Sequence, residues 1–209
     1  MRGNKLAAAS IRADSSATSS GLIDSSATSI DSYFCASATT ASLGGGSFFA
    51  ISSDGVTAKN AASHLAHISL ELGGNDAFIV HEDADLDLAV EEMIWGRMYN
   101  AGQVCCASKR FLVHNRVRAA FVDKAAARMK TLKVGAPDKE DTQIACLVTE
   151  AAARQVEAQV ARTLEQGGQL VLGGRRDGAY FTPTLIDAIP KTADVARDLE
   201  IFGPVVSVI

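Results

Sequence analysis

The stretch LELGGNDAFIV, residues 70–80, decides the fold class of this chain. It joins two short β-rich runs, 68–72 and 77–80, through Gly73-Gly74, a pair that is typical of a turn. A cluster of acids and a segment with helical apolar spacing follow directly, which is the pattern of a capped helix. A strand, a turn, a strand and a helix in this order are typical of the start of an α/β unit.

Strands and helices continue to alternate downstream of this stretch. The apolar spacing predicts helices over 85–101, 117–132 and 150–166, and strands over 110–114, 170–172, 180–186 and 205–209. Asp83 and Asp85 are plausible caps of the first helix, and Gly167-Gly168 ends the last one. The alternation predicts an α/β fold with a largely parallel sheet.

The first 46 residues differ from the rest of the chain, because Ser, Ala, Thr and Gly dominate them. The string DSSATS occurs at 14–19 and again at 24–29, and two copies are too few for a solenoid. Such a composition buries little apolar surface, so we expect 1–46 to be largely disordered or poorly packed. Gly44-Gly45-Gly46 lacks the following Lys-Ser/Thr of a phosphate-binding loop, which favours a flexible linker.

The overall composition argues against several classes of partner. A formal net charge of −4 provides no basic face for nucleic acid. No apolar run reaches the length of a membrane span, and the patch from Leu6 to Ala9 is too short for a secretory signal. We therefore expect a cytoplasmic protein with neither a nucleic-acid nor a membrane partner.

The chain has four cysteines without zinc-type spacing, so no metal site is expected. They are Cys35, Cys105, Cys106 and Cys146. Cys105 lies in NAGQVCCASKR (100–110), after the predicted first helix and a turn that contains glycine. Neighbouring backbone N–H groups and the cations Lys109 and Arg110 would favour a thiolate there. The alternatives are that Cys105 is a small buried side chain, as most lone cysteines are, or that Cys106 is the nucleophile.

Glu71 lies between Leu70 and Leu72 on an apolar strand. Burial would raise the pKa of its carboxyl group toward neutrality, which suits a general base. The alternative is an edge-strand residue whose carboxylate lies in solvent. The four histidines show no useful spacing to a cysteine, which argues against a Cys-His protease.

Four motifs, in this order, resemble the aldehyde dehydrogenase superfamily. They are LELGGNDAFIV (70–80), DADLDLAV (83–90), NAGQVCCASKRF (100–111) and EIFGPVV (200–206). The amino-acid sequence around Cys105 is most similar to that of the succinate-semialdehyde dehydrogenase branch. The resemblance covers residues 65–209 and implies the fold of that family's catalytic domain. It also implies NAD or NADP as cofactor and a small-molecule aldehyde, such as succinate semialdehyde, as substrate.

The resemblance assigns catalytic roles to two residues. Cys105 would attack the aldehyde carbonyl and form a thioester, and Glu71 would activate the water that hydrolyses it. The oxyanion formed by the attack would lie against the N–H of the cysteine and an Asn side chain from an upstream segment.

The resemblance also implies four cofactor-binding residues. They are Glu200, Phe202, Leu72 and Gly73. Glu200 would hold the nicotinamide ribose and Phe202 would pack beside the nicotinamide. Leu72 and Gly73 would line the path between the base and the nicotinamide ring.

The sequence also departs from the family pattern. Ile51 stands where a phosphate-binding turn has glycine, and a side chain there would obstruct a pyrophosphate. We therefore expect disorder over 1–46, a remnant of the nucleotide-binding domain over 47–70 and a C-terminally truncated catalytic domain over 71–209. Members of the family are homo-oligomers, and this chain would lack the last oligomerisation strand.

Two other functions compete with an active dehydrogenase. The first is an inactive truncated remnant that binds no cofactor and could associate with a full-length relative. The second is a thiol hydrolase that acts on esters through Cys105 and Glu71 without a cofactor. The sequence leaves open the identity of the aldehyde and the choice between NAD and NADP.

Overall fold

The computed structural model describes the backbone of residues 38–43, 46–51 and 56–209, with side chains at Lys59, at 61–67 and from Leu72 onward. Ten strands, five α-helices and one 3₁₀ turn occur in these residues. They are β1 (Ala38–Leu43), β2 (Gly46–Ile51), α1 (Val56–Ser63), β3 (His67–Glu71), β4 (Asp76–Val80), α2 (Leu86–Met98), the 3₁₀ turn (Tyr99–Gly102), β5 (Ser108–Val113), α3 (Asn115–Met129), α4 (Glu150–Glu165), β6 (Gln169–Leu172), β7 (Arg176–Asp177), β8 (Tyr180–Phe181), β9 (Thr184–Asp187), α5 (Asp194–Arg197) and β10 (Val205–Val208).

The larger sheet has five strands in the order β4-β5-β10-β9-β6. The pairs β4–β5, β5–β10 and β10–β9 are parallel, and β6 is antiparallel to β9. The helices α2 and α3 pack against each other and against β5. The prediction of an α/β fold with a largely parallel sheet is confirmed.

The core lies between this sheet and its helices. In β5 the side chains of Lys109, Phe111 and Val113 are buried, while Leu112 between them is 36% exposed. The ring of Phe111 lies 5.2 Å from that of Phe78 in the neighbouring strand β4. The alternation along β5 is that of a strand with one face against the core.

The smaller sheet has the order β2-β1-β3, and both of its strand pairs are antiparallel. Its strand β1 and Gly46, the first residue of β2, lie within the segment 1–46. Residues 1–37 and 44–45, which include both DSSATS copies and two glycines of the expected linker, lie outside the described residues. The expected division of the chain into three parts stays a prediction.

The observed elements differ from the predicted ones in identifiable places. The predicted first helix ends at Met98 instead of 101, because a left-handed turn follows it. The predicted strand 180–186 is two strands, β8 and β9, separated at Thr182 and Pro183. Proline has no N–H to donate to a strand ladder, which explains the break.

The observed helix caps agree with the caps that the sequence predicts. The side chain of Asp85 accepts hydrogen bonds from the N–H groups of Asp87 at 3.0 Å and Leu88 at 3.2 Å, as expected for an N-cap. Gly167, with a φ of 108°, follows the end of α4. None of the helices in the described part of the chain is long and apolar enough to cross a membrane.

The two faces of β5 predict different effects of truncation. Phe111→Ala should lower the free energy of unfolding by about 3–5 kcal/mol, because it leaves a cavity in the core. Leu112→Ala, the matched control on the other face, should cost about 1 kcal/mol or less, because less area is buried there. Urea unfolding followed by circular dichroism measures both, and equal losses would contradict the described burial.

Candidate active site

The candidate nucleophile lies at the tip of a β-turn. The N–H of Ala107 donates to the carbonyl oxygen of Val104 at 3.2 Å, which makes Cys105 and Cys106 the two central residues of the turn. Both cysteines are exposed, whereas Cys146 is half-buried. Exposure alone therefore does not distinguish Cys105 from Cys106. Cys35 lies outside the described residues.

Three consecutive residues in the left-handed region turn the chain from α2 towards Cys105. Asn100, Ala101 and Gly102 have φ values of 51°, 53° and 76°. Asn and Gly tolerate this region, whereas Ala is held there at a cost of about 1–2 kcal/mol. Asn100 Nδ2 donates to the carbonyl oxygen of Gln103 at 3.1 Å, and Gln103 Nε2 donates to that of Asn100 at 3.1 Å. The motif NAGQ thus encodes a left-handed turn closed by its own side chains.

This turn lies directly against the EIFGP segment, residues 200–204. A Cβ at Gly102 would lie 2.2 Å from the carbonyl oxygen of Gly203, so a side chain there would clash with backbone. A Cβ at Gly203 would lie 2.8 Å from the side chain of Val156 in α4. Gly102 therefore allows the two backbones to touch, and Gly203 allows the EIFGP segment to pack closely on α4.

Arg97 connects the same two segments from within the core. Its side chain is fully buried, and Nη1 donates to the carbonyl oxygen of Gly102 at 3.1 Å. Nε donates to that of Val205 at 2.6 Å, and Nη2 donates to that of Ile201 at 2.7 Å. Burial lowers the pKa of Arg97 to about 10, and the charge of Glu200 opposes this shift. The guanidinium therefore stays charged at neutral pH.

Lys109 is the second buried cation at the site, and it is 1% exposed. Its Nζ donates to the carbonyl oxygens of Val104 at 2.9 Å and Cys105 at 2.7 Å. It also lies 2.9 Å from Oε1 of Glu200, whose side chain is 10% exposed. One ammonium thus links the nucleophile turn to the EIFGP motif.

The sequence predicts that the charges of Lys109 and Arg110 favour a thiolate at Cys105. In the structure the hydrogen bonds of Lys109 go to carbonyl oxygens of the turn. Arg110 Nε donates to the carbonyl oxygen of Asn75 at 2.7 Å. Both cations therefore support the backbone around the turn, and their hydrogen bonds are not to the thiols.

The segment that contains the candidate base also meets this turn. A Cβ at Gly74 would lie 2.9 Å from the carbonyl oxygen of Cys105, so glycine permits the contact. Glu71 is the last residue of β3, and its side chain lies outside the described residues. The role of Glu71 as general base stays a prediction.

A groove of about 470 Å³ lies beside these segments. It is lined by 72–75, by 198–200 and by Gln155 and Gln159 of α4. Its lining brings together three of the four residues predicted to bind a cofactor, namely Leu72, Gly73 and Glu200. Phe202, the fourth, is half-buried and does not line the groove.

Two amides shape the polar part of the groove. Gln159 Nε2 donates to the carbonyl oxygen of Glu200 at 2.9 Å and so fixes the backbone of that residue. Asn75 Nδ2 donates to the carbonyl oxygen of Val195 at 3.3 Å. Asn75 Oδ1 is buried and accepts no hydrogen bond from the described residues.

Sequence reasoning missed the buried contacts made by Arg97 and Lys109. One signal was present for the arginine, because it falls on the apolar face of α2 with Val90 and Met93. A cation on such a face needs acceptors within the core. For Lys109, the position on β5 next to Phe111 is the corresponding signal.

Comparison with known protein families matches residues 54–209 to the Aldehyde dehydrogenase family. The chain belongs to this family. It is 44% identical over 151 residues to the NADP(+) succinate-semialdehyde dehydrogenase of Mycobacterium leprae (strain TN), a match that spans 71% of this chain and 33% of that relative. The resemblance recognised in the four motifs is therefore confirmed.

Solved aldehyde dehydrogenase structures agree with this assignment. Succinate-semialdehyde dehydrogenase from Burkholderia pseudomallei is 39% identical with a TM-score of 0.69, and the match covers 74% of this chain and 32% of that one. Betaine aldehyde dehydrogenase from Staphylococcus aureus, in complex with NAD+, is 33% identical with a TM-score of 0.68, over 73% of this chain and 31% of that one. The chain thus spans about a third of the length of the relatives it matches.

Two glycines near Cys105 should respond oppositely to substitution by alanine. Gly102→Ala should lower the free energy of unfolding by at least about 2 kcal/mol, since it adds left-handed strain to a backbone clash. Gly96→Ala in α2 is the matched control, because nothing lies within 4 Å of a Cβ there. It should stabilise the helix by up to about 1 kcal/mol. Urea unfolding of both variants is the measurement, and a Gly102→Ala variant as stable as the parent would contradict the close approach to Gly203.

Proposed function

We propose that this chain provides the catalytic segment of an NAD(P)-dependent aldehyde dehydrogenase that oxidises a short semialdehyde, such as succinate semialdehyde, to a carboxylate. The observation that supports it best is the meeting of three motifs at Cys105. The exposed turn of Cys105 touches Gly74, which follows the candidate base, and is bonded through Lys109 to Glu200. The succinate-semialdehyde dehydrogenases among its relatives favour that substrate.

The proposed reaction begins with the thiolate of Cys105. Its sulfur attacks the aldehyde carbonyl carbon, and the π electron pair moves to the oxygen, which becomes an oxyanion beside the turn. A bound nicotinamide would supply the hydride acceptor that converts this adduct to a thioester. Glu71 then takes a proton from water, and the water oxygen attacks the thioester carbonyl. The carboxylate product leaves, and Cys105 departs as a thiolate.

The groove beside the turn fits the polar part of the cofactor. The carboxylate of Glu200 accepts hydrogen bonds from hydroxyl groups such as those of a ribose. Gly73 contributes only backbone, which leaves room for a ligand. Glu200 would therefore hold the nicotinamide ribose. Leu72 and Gly73 would line the path between the base and the nicotinamide ring, and Phe202 would pack beside the nicotinamide.

A second candidate function is that of a remnant that binds no cofactor and associates with a full-length relative. One observation favours it. The described strands β1, β2 and β3 pair only in antiparallel fashion, whereas a dinucleotide-binding unit needs neighbouring parallel strands. Ile51 ends β2, at the position where the family pattern has glycine. Calorimetry of the chain with NAD and with NADP separates this candidate from the first.

Residues 65–209 can be tested in a full-length context by exchanging them into the Mycobacterium leprae relative. The chimera should oxidise succinate semialdehyde with NADP. Cys105→Ser should lower its turnover about a thousandfold or more, because the nucleophile is lost. Cys106→Ser, the matched control, should keep most of the turnover. The chimera with Glu71→Gln should produce one equivalent of reduced cofactor and then accumulate as the thioester, because the water is no longer activated.

Stopped-flow absorbance of the reduced cofactor and mass spectrometry of the acyl-enzyme measure these outcomes. A monodisperse chimera that binds NADP but needs Cys106 instead of Cys105 for turnover would overturn the assignment of Cys105 as the nucleophile. Unchanged turnover in Glu71→Gln, without an accumulated thioester, would overturn the assignment of Glu71 as the general base. The cytoplasmic location expected from the sequence is a separate proposal that does not bear on this experiment.

A further inference from the structure

Lys109 binds the carbonyl oxygens of two successive peptide groups, and this contact determines where their N–H groups point. Its Nζ lies 2.9 Å from the oxygen of Val104 and 2.7 Å from that of Cys105. The described residues contain no cis peptide bond. In a trans peptide the C=O and the following N–H point in opposite directions. The N–H groups of Cys105 and Cys106 therefore both point away from the buried ammonium.

These two N–H groups are available to a ligand. Among the described residues, neither of them donates a hydrogen bond. Both belong to exposed residues, whereas Lys109 on the opposite side of the turn is buried. Successive backbone N–H groups with a common direction form a site for an anion. The site lies at the residue whose thiol would attack a carbonyl.

We propose that the N–H groups of Cys105 and Cys106 together bind the oxyanion formed when Cys105 attacks a carbonyl group, and that Lys109 is the positioning residue of this site. The inference rests on the proposed function, because it requires Cys105 as the attacking thiol. It goes beyond the family resemblance, which assigns the oxyanion to the cysteine N–H and an upstream Asn. Cys106 and Lys109 have no role in that assignment.

The surroundings of Lys109 keep the two peptide groups in this orientation. Rotation of either group would point an N–H at the ammonium, which is unfavourable. The carbonyl oxygen of Cys105 is also confined by Gly74, where a Cβ would lie only 2.9 Å away. A cation bonded to a carbonyl oxygen polarises the peptide and strengthens the N–H as a donor. Glu200 holds the ammonium in place at 2.9 Å.

Two reactions of the same thiol separate oxyanion binding from thiol reactivity. With 4-nitrophenyl acetate, the sulfur of Cys105 bonds to the carbonyl carbon, an oxyanion forms, and its collapse expels 4-nitrophenolate. With iodoacetamide, the sulfur displaces iodide from a saturated carbon, and no oxyanion forms. Neither reaction uses a cofactor. The ratio of the two initial rates at Cys105 therefore reports on oxyanion stabilisation alone.

The experiment uses the full chain and maps both adducts at Cys105 by mass spectrometry. Lys109→Met removes the ammonium but leaves Glu200 buried without its partner, which could destabilise the fold. The double variant Lys109→Met/Glu200→Gln removes one positive and one negative charge and so leaves the net charge of the site unchanged. Lys139→Met, in an exposed loop, is the matched control, because its side chain is 68% exposed.

We expect both Lys109 variants to slow acetylation of Cys105 about tenfold to a hundredfold, with alkylation changed less than about threefold. Lys139→Met should change neither rate. An equal fall in both rates, or unchanged acetylation, would overturn the role of Lys109. A parent chain that iodoacetamide alkylates at Cys105 but 4-nitrophenyl acetate leaves unmodified would overturn the oxyanion site alone. A parent whose Cys105 reacts with neither reagent would overturn the proposed nucleophile as well.

Discussion

Two buried cations underlie the turn that presents Cys105. Arg97 donates to the carbonyl oxygen of Gly102 on one side and to those of Ile201 and Val205 on the other. Lys109 connects the β-turn that follows, residues 104–107, to the carboxylate of Glu200. A buried guanidinium or ammonium is costly unless its donors find acceptors. The backbone segments that bind it therefore cannot separate without leaving a buried charge that lacks hydrogen-bond acceptors. The nucleophile turn and the EIFGP segment therefore behave as one unit.

This constraint explains why glycine recurs at the contacts. Gly74, Gly102 and Gly203 each bring backbone within a distance of neighbouring atoms that a Cβ would not allow. Carbonyl oxygens from two motifs, NAGQVCCASKRF and EIFGPVV, can then reach the two cations from the buried side. The two cysteines of the turn and the groove at Glu200 lie on the exposed side of these segments. The same arrangement serves the proposed chemistry, because a preorganised backbone loses little free energy in reorganisation when charge develops.

The sequence predicts the elements of this protein better than the contacts between them. Apolar spacing identifies α2, α3 and α4 to within a few residues, and Asp85 is the cap that its position predicts. The order of the motifs suffices to recognise the family. The resemblance also predicts Leu72, Gly73 and Glu200 as cofactor-binding residues, and the structure places all three at one groove. The strand β1 escapes prediction, because its small and polar residues have no strand pattern and pair through tertiary context. The acceptors of Arg97 in the EIFGP region lie more than a hundred residues away in sequence, so no local pattern could reveal them.

The central claim is that the turn of Cys105 and the 201–205 segment form one cooperative unit, and native-state hydrogen exchange tests it most directly. The two probes are the N–H of Ala107, bonded to the oxygen of Val104 at 3.2 Å, and the N–H of Val205, bonded to that of Gly203 at 2.8 Å. A shared unit predicts the same opening free energy at both probes and an equal fall at both in Arg97→Met. If Ala107 exchanged freely while Val205 kept the protection of a core strand, the turn would be an independent loop and the claim would be contradicted.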